Sequence, residues 1–437
     1  MPVPLPLLVY ISSTRESKKT TFFPVIVIQK KIQIFVSRNA MRIIHTSDWH
    51  LGHVLYNYPR DEEQRDMLRQ MVEAVEKYMP DAFVISGDIY DSVLPTASVQ
   101  TMLADALMAI HRARPDMLIV CIAGNHDNGS RHTIFRTPWK TLNVEMVGGI
   151  SHDSRLEDYI FKVDGKGYIV AVPFAAERFM PDDVFVRLGD MVAEMNRDEQ
   201  LPVFLSAHLS VARCDYRGHE MATEDNIGGL NCQELSVLGE EYDYVALGHI
   251  HKQQQLDSVG RIYYSGTPIP MSFDEVYRGN SHSALLVDCQ RHRHLPVVTP
   301  VDIRNPRPLV NIPQEGFAPW EEVKAEFADY PSDIPSYVRL NVEVDGYLPS
   351  GANDEANAIA GEKACRFCLI NSKRKDTSGG QGKMCSFTTS EFKQLDTTDV
   401  ARMWIESKGD VFDESMREII QEVKKDVMIN PDNTETL

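Results

Sequence analysis

Five short clusters in this chain carry side chains able to hold metal ions. They are Asp48 with His50, Asp88 after Gly87, the run Gly124, Asn125, His126 and Asp127, a solitary His208, and His249 with His251 after Gly248. Asp48 with His50 alone reads as a surface turn and Gly87 with Asp88 as a strand cap, the runs at 124–127 and 248–251 are rarer, and the chemistry lies in finding all five in one chain. Asp48, His50, Asp88, Asn125, His208, His249 and His251 together supply four imidazoles, two carboxylates and one amide. In extended backbone, residues two apart project to the same side, so Asp48 with His50 and His249 with His251 each offer two donors to one pocket. A carboxylate has two oxygens and can bridge ions about 3.5–4 Å apart, and Asp88 is the expected bridge. Mixed nitrogen and oxygen donors suit manganese, iron or zinc better than magnesium or calcium, and a set without cysteine argues against a structural zinc site. Two divalent ions, Mn2+ first, are the expected cofactors.

Short apolar runs lead into these clusters and predict strands near 42–46, 82–86, 117–123, 168–172, 203–207 and 243–247. The clusters therefore stand at or just past strand C-terminal ends, where open α/β sheets place their ligands. Between strands, 60–78 and 96–111 have helical spacing, with Met67, Met71, Val75 and Tyr78 on one stripe and Met102, Leu103, Ala106 and Ile110 on the other. Further strands are expected near 261–265, 283–288 and 295–298, followed by a Pro-rich linker at 305–308. The expected organisation is an extension at 1–40, a catalytic domain at 41–305, a smaller α+β capping domain at 309–395, and C-terminal helices at 396–437. Within the capping domain a helix near 319–328 and a strand near 336–343 precede a mobile Gly/Ser/Lys-rich loop running through Lys383. The second C-terminal helix, near 413–427, groups Phe412, Met416, Ile419, Ile420, Val423 and Val427 on one face, a stripe suited to docking on a partner or packing on its own domain.

The 437 residues carry 63 Asp and Glu against 45 Lys and Arg, a formal charge of −18, which excludes a protein that coats nucleic acid by bulk electrostatics. Seven scattered cysteines do not make a disulfide scaffold and point to a reducing, cytoplasmic setting. No apolar run reaches the roughly 18 residues that cross a bilayer, so no membrane association is expected. Residues 1–40 hold six basic residues and one acidic residue, a net of +5, unlike the rest of the chain. They are expected to be a disordered extension or an upstream start ahead of Met41.

The motifs at Asp48 and His50, Gly87 and Asp88, Gly124 to Asp127, His208, and Gly248 to His251 resemble those of the calcineurin-like metallophosphoesterases. The runs around Asp48, Asp88 and Asn125 are closest to the SbcD branch of nuclease subunits, strongly from Met41 to about Thr267 and weakly beyond. The resemblance implies a four-layer α/β/β/α sandwich. It implies one ion on Asp48, His50, Asp88 and His251, and a second on Asp88, Asn125, His208 and His249. It makes His126 the catalytic histidine, oriented by Asp127. It also implies a two-metal phosphodiesterase that degrades DNA ends and cuts hairpins, as a homodimer within a heterotetramer with an SbcC-like SMC-type ATPase. This sequence has no phosphate-binding Gly-rich loop of its own, so any ATP dependence belongs to that partner.

The rival readings are a calcineurin-like phosphatase or nucleotide phosphodiesterase acting on small molecules, and a non-catalytic scaffold. Among other residues, His45 reads as core, whereas His53, His111, His132, His152, His292 and His294 read as solvated surface. Tyr56 and Arg60 read as helix entry or DNA contact, 213–230 as a loop over the site, and Lys373 to Lys375 as a basic patch on the mobile loop. Cys365, Cys368 and Cys385 lack the fourth ligand that a closed zinc site needs.

Overall fold

Both faces of the first strand are apolar, and this sets the layering. A computed structural model describes residues 40–217, 226–227 and 230–375. Strand Met41–Thr46 sends Ile43 into a core with Val84, Val170, Leu205 and Val245, and Ile44 into a second core with Phe83, Ile85, Met67, Met71 and Met102. A strand that is apolar on both faces must be covered on both. One cover is a second sheet and the other a pair of helices.

The first sheet runs in the order Val297–Asp302, Ser283–Cys289, Met41–Thr46, Ala82–Ser86, Leu118–Ile122, Val144–Val147. Its last four strands are parallel, and the first two pair antiparallel. The second runs Gln254–Gln255, Ile262–Tyr264, Tyr244–Gly248, Val203–His208, Gly167–Val172, Ile160–Val163, parallel through its middle four strands. Helices Asp61–Tyr78 and Ala97–Ala113 cover the first sheet with the two stripes read from the sequence. The former opens with Asp61, Glu62 and Glu63 and closes near Lys77, charges that suit its dipole, and Thr96 caps the latter at Val99 N–H. Helix Val184–Met195 packs Leu188 and Val192 on the second sheet, completing the four-layer α/β/β/α sandwich.

Several elements escape periodicity. Helix Gly129–Lys140 starts on glycine, contains Pro138 and buries only His132, so it has no apolar stripe to read. Strands Val144–Val147 and Ile160–Val163 are too short to show a pattern. Beyond the Pro-rich segment, Ile312, Trp320, Val323, Phe327, Val338, Leu340 and Phe367 form a separate core. It is built on a parallel sheet in which Tyr337–Val344 pairs with Leu309–Ile312, Ala318–Pro319 and Arg366–Arg374. Helices Trp320–Asp329 and Ala352–Gly361 belong to the same unit.

The expected mobile loop after residue 343 is corrected over its first part. Helix Ala352–Gly361 and strand Arg366–Arg374 occupy it, and Lys373 and Arg374 lie in that strand. The strand's mixed sequence carries no alternation because its place is set by backbone pairing with Tyr337–Val344. Residues 376–395, the helices expected at 396–437 and the expected extension up to residue 39 lie outside the described residues. No helix among the described residues is long and apolar enough to cross a membrane.

The two sheets approach closely at their C-terminal strand ends, where a Cβ on Gly248 would stand 1.9 Å from the Ser86 carbonyl oxygen. Gly248→Ala must part the sheets there, and overpacking of this kind costs about 1–3 kcal/mol. The expected result is a lower denaturant midpoint, and an unchanged midpoint would contradict the close approach.

Candidate dimetal centre

Four of the seven donor residues have backbones in the left-handed region: Asp48 at φ 53°, His50 at 43°, Asp88 at 49° and His249 at 104°. Such conformations cost on the order of 1–3 kcal/mol each and persist only where surrounding contacts hold them. Here the loops hold one another. Asp48 N–H donates to Gly87 O at 2.9 Å, His50 N–H to Asp88 O at 3.0 Å, and His249 N–H to Asp48 Oδ1 at 3.0 Å. Gly124 is needed where a Cβ would fall 2.2 Å from Asp88 Oδ1.

The result is two adjacent donor groups, Asp48, His50 and His251 in one, and Asp88, His208 and His249 in the other, with the donor atoms of each group within 4.8 Å of one another. All six are buried except His251, which is half-buried. Asp88 Oδ2 stands 3.4 Å from His208 Nε2 and 3.9 Å from His50 Nε2, so one oxygen faces both groups. Asn125 Oδ1 lies 2.9 Å from His208 Nε2 and 3.2 Å from His249 Nδ1.

Two features fit a cation. His208 Nδ1 donates to Ser86 O at 2.9 Å. In a neutral ring Nε2 is then an acceptor, and it faces the Asn125 carbonyl oxygen, also an acceptor, so a proton or a metal ion must lie between them. His50 Nε2 is buried with no hydrogen-bond partner. Buried charges of this density are ordinarily paired or metal-bound.

Electrostatics favours the same exchange. Burial pulls the His50 imidazole down, but the Asp91 hydrogen bond and the fields of Asp88 and Asp48 outweigh it and lift it to about 9. Burial likewise opposes charge on His208, and Asp88, by its charge and its hydrogen bond, raises that ring to about 9. Burial alone would push the Asp88 carboxyl up, yet His208, His50 and His126 hold it far below the usual carboxylate range.

His126 is exposed at the mouth, its ring 4.9 Å from that of His50 and its Nδ1 3.1 Å from the Asp91 carbonyl oxygen. Asp127 does not orient it. The Asp127 carboxylate accepts from the backbone N–H groups of Ile89 (3.1 Å), Tyr90 (2.9 Å) and Gly124 (2.9 Å), so it ties two motif loops together. A carboxylate flanked by three amide donors satisfies them before a neighbouring ring on the exposed side.

His45 is core, with Nδ1 2.9 Å from the Tyr244 hydroxyl, and burial brings it down to about 3. His132 and His292, expected at the surface, are buried. His132 is the one inward residue of its helix, and His292 Nδ1 meets the Asp243 carboxylate at 3.0 Å. His53 and His111 are half-buried, and His152 and His294 are exposed. Arg60 is fully buried, donating from Nη1 to Pro270 O at 2.6 Å, so it is not a DNA contact, whereas Tyr56 is exposed. Cys365 packs in the smaller core and, like Cys368, is a free thiol, while Cys385 lies outside the described residues. Of the loop expected at 213–230, only 213–217, 226–227 and 230 are described.

Sequence reading misses two carboxylates that touch the donors. Asp91 Oδ1 is 3.4 Å from His50 Nδ1, and its place three residues after Asp88 is a usable signal. Glu275 Oε1 is 2.9 Å from His251 Nδ1, with no motif to announce it. Beside His208 opens a cleft of about 690 Å³ walled by Phe174, Met180 and Phe185 and rimmed by Glu177, Asp182 and Asp183. Its acidic rim is a poor seat for a phosphate backbone.

Residues 41–253 match the calcineurin-like phosphoesterase family. The chain is 31% identical to the SbcD subunit of the nuclease SbcCD from Rhodobacter capsulatus, over 65% of this chain and 75% of that one. It is 24% identical to the protein of the same name from Escherichia coli, over 70% and 79%, and 29% identical to that from Bacillus subtilis, over 57% and 66%.

The charges and ties of the site have measurable consequences. Because His50 and His208 hold protons up to about pH 9 in the metal-free site, a divalent cation binding there would have to displace them. Apparent Mn2+ affinity is expected to rise with pH until about 9 and then level, with about two protons released per chain near neutrality, read by calorimetry in buffers of different ionisation enthalpy. In the metal-free protein the same raised pKa values contribute stability that is complete below pH 6.5 and lost as pH climbs through about 9. Asp127→Ala leaves three buried amides without their acceptor and is expected to weaken Mn2+ binding and lower the melting temperature. Intact metal binding in that variant would return Asp127 to a role confined to His126.

Proposed function

The chain belongs to the SbcD family of calcineurin-like phosphoesterases, and from that membership we propose that it is the metal-dependent nuclease subunit of an SbcCD-type complex. The observation that carries the reading is the pair of contiguous donor groups facing a shared Asp88, with an exposed imidazole beside them. In this reading Asp48, His50, Asp88 and His251 hold one ion and Asp88, Asn125, His208 and His249 the other, both Mn2+. Bound there, two divalent cations neutralise a phosphodiester and acidify the water that attacks it in line.

The chain's own residues do the rest. Asp91 spans two tasks, its carboxylate steadying His50 and its backbone oxygen accepting from His126 Nδ1–H. That bond leaves Nε2 of His126 as the ring atom for the substrate, where the doubly protonated imidazolium would donate its Nε2–H to the phosphoryl oxygens or pass that proton to the leaving oxygen, itself returning to the neutral Nδ1–H ring. Asp127 keeps the loops of Asp88 and Asn125 in register. Burial of the donors keeps bulk water from competing for them.

The substrates in this proposal are DNA ends, degraded 3′ to 5′ as duplex, and single strands or hairpins cut internally, during repair, replication and recombination in the cytoplasm. The partner is an SbcC-like SMC-type ATPase, with two copies of this chain in a heterotetramer. With a net charge of −18, the subunit alone is expected to bind DNA weakly and in a salt-sensitive way.

The test is release of labelled nucleotides from a linear duplex by the full chain with Mn2+, with and without the partner ATPase, beside His126→Gln and a phosphate-monoester control. Loss of His126 as an acid is expected to slow cleavage by about 10²–10⁴-fold while bound Mn2+ persists. Monoester hydrolysis with no DNA cleavage, even with the partner, would replace the nuclease by the small-molecule phosphatase.

A further inference from the structure

Glu275 is 2% exposed and stands 24 positions beyond His251, outside every motif that the sequence offers. Both of its carboxylate oxygens are engaged. Oε1 receives His251 Nδ1–H at 2.9 Å, and Oε2 receives Met271 N–H at 3.0 Å and the Thr267 hydroxyl at 3.2 Å. The backbone closes the same loop, since Thr267 N–H donates to His251 O at 3.0 Å. A neutral imidazole has one N–H, and once that proton is committed to Glu275, Nε2 is the ring atom with a lone pair for the first donor group. A carboxylate in this position fixes the tautomer and the ring plane and raises the basicity of the ligating nitrogen.

The turn that carries Glu275, Phe273–Glu275, is gripped from the smaller domain. The Arg339 guanidinium lies 5.3 Å from the centre of the Phe273 ring, donates from Nη1 to Asp274 Oδ1 at 2.6 Å, and donates from Nε to Asn311 Oδ1 at 2.8 Å. Asn311 in turn reaches Phe273 O at 3.5 Å. Strand Tyr337–Val344, which bears Arg339, is tied to this turn by these contacts.

We infer that Glu275 is the positioning residue of the first ion site, holding His251 for the ion, and that the smaller domain sets this site's occupancy through the grip of Arg339 on the Phe273 turn. The inference rests on Asp48, His50 and His251 being ligands. It makes the two ions unequal, since Glu275 acts through His251, which belongs to the first donor group and not to Asp88, His208 and His249.

The test is Mn2+ titration of the full-length protein by calorimetry, with electron paramagnetic resonance to separate paired from single Mn2+. Wild type is expected to bind two ions and show the coupled pair. Glu275→Gln, isosteric and so the least disruptive change, is expected to weaken one of the two sites by about 10–100-fold, giving a single-ion spectrum at intermediate Mn2+. Arg339→Ala, which removes the grip on Asp274 and Phe273, is expected to weaken the same site by a smaller factor, and Glu275→Asp to restore part of the loss. Unchanged affinities in Glu275→Gln, or equal losses at both sites with a lower melting temperature of the metal-free protein, overturn the inference and leave the nuclease reading standing. A wild-type chain that binds no Mn2+ overturns both.

Discussion

Asp88 keeps a negative charge at 1% exposure, and the site is arranged around that fact. An isolated carboxylate so placed would cost several kcal/mol and would neutralise itself. It stays ionised because imidazoles from both sides reach it, His50 from the loop after Met41–Thr46 and His208 from the end of Val203–His208, while the His126 amide donates to its other oxygen at 2.8 Å. Strand ends from two different sheets must therefore meet at one point. The close contact of Gly248 with Ser86, the absent side chain at Gly124 and the left-handed backbones of Asp48, His50, Asp88 and His249 are consequences of that meeting.

Strain of this kind survives only where the loops are over-determined. Asp127 contributes most visibly, since one carboxylate gathers amides from the Asp88 loop and from its own loop. Asp91 does similar work at the mouth, joining the donor His50 to the exposed His126. The acids beside the donors therefore fall into two kinds, those that face the centre and those that hold the loops facing it.

The smaller domain is joined to the main sandwich by a polar seam as well as by packing. Glu63, 1% exposed on the first helix, accepts from the Tyr337 hydroxyl at 2.9 Å and pairs with Arg307 Nε at 3.2 Å, while Arg366 donates to the same hydroxyl at 2.9 Å. Buried networks like this favour one docking geometry over others, because any slip leaves charges unpaired. The Arg339 grip on the Phe273 turn extends the seam toward His251.

The layered α/β architecture, and the strands that end at each donor cluster, were legible in the order of residues alone. The apolar run through Ile43 and Ile44 and the Met67 and Met102 stripes are local patterns that survive in one dimension. The seven donors could be assembled in the same way, because strand-end motifs carry their own spacing. Contacts between residues far apart in the chain were not legible, and folding settles them. These include Glu275 on His251, Asp127 on backbone amides in place of His126, Arg60 sealed under Pro270, His292 on Asp243, and a helix and strand at 352–374 where composition suggested a loop. Each depends on which side chain fills a space made by distant segments. Local residue types and spacing hold no information about that space until the chain has closed around it.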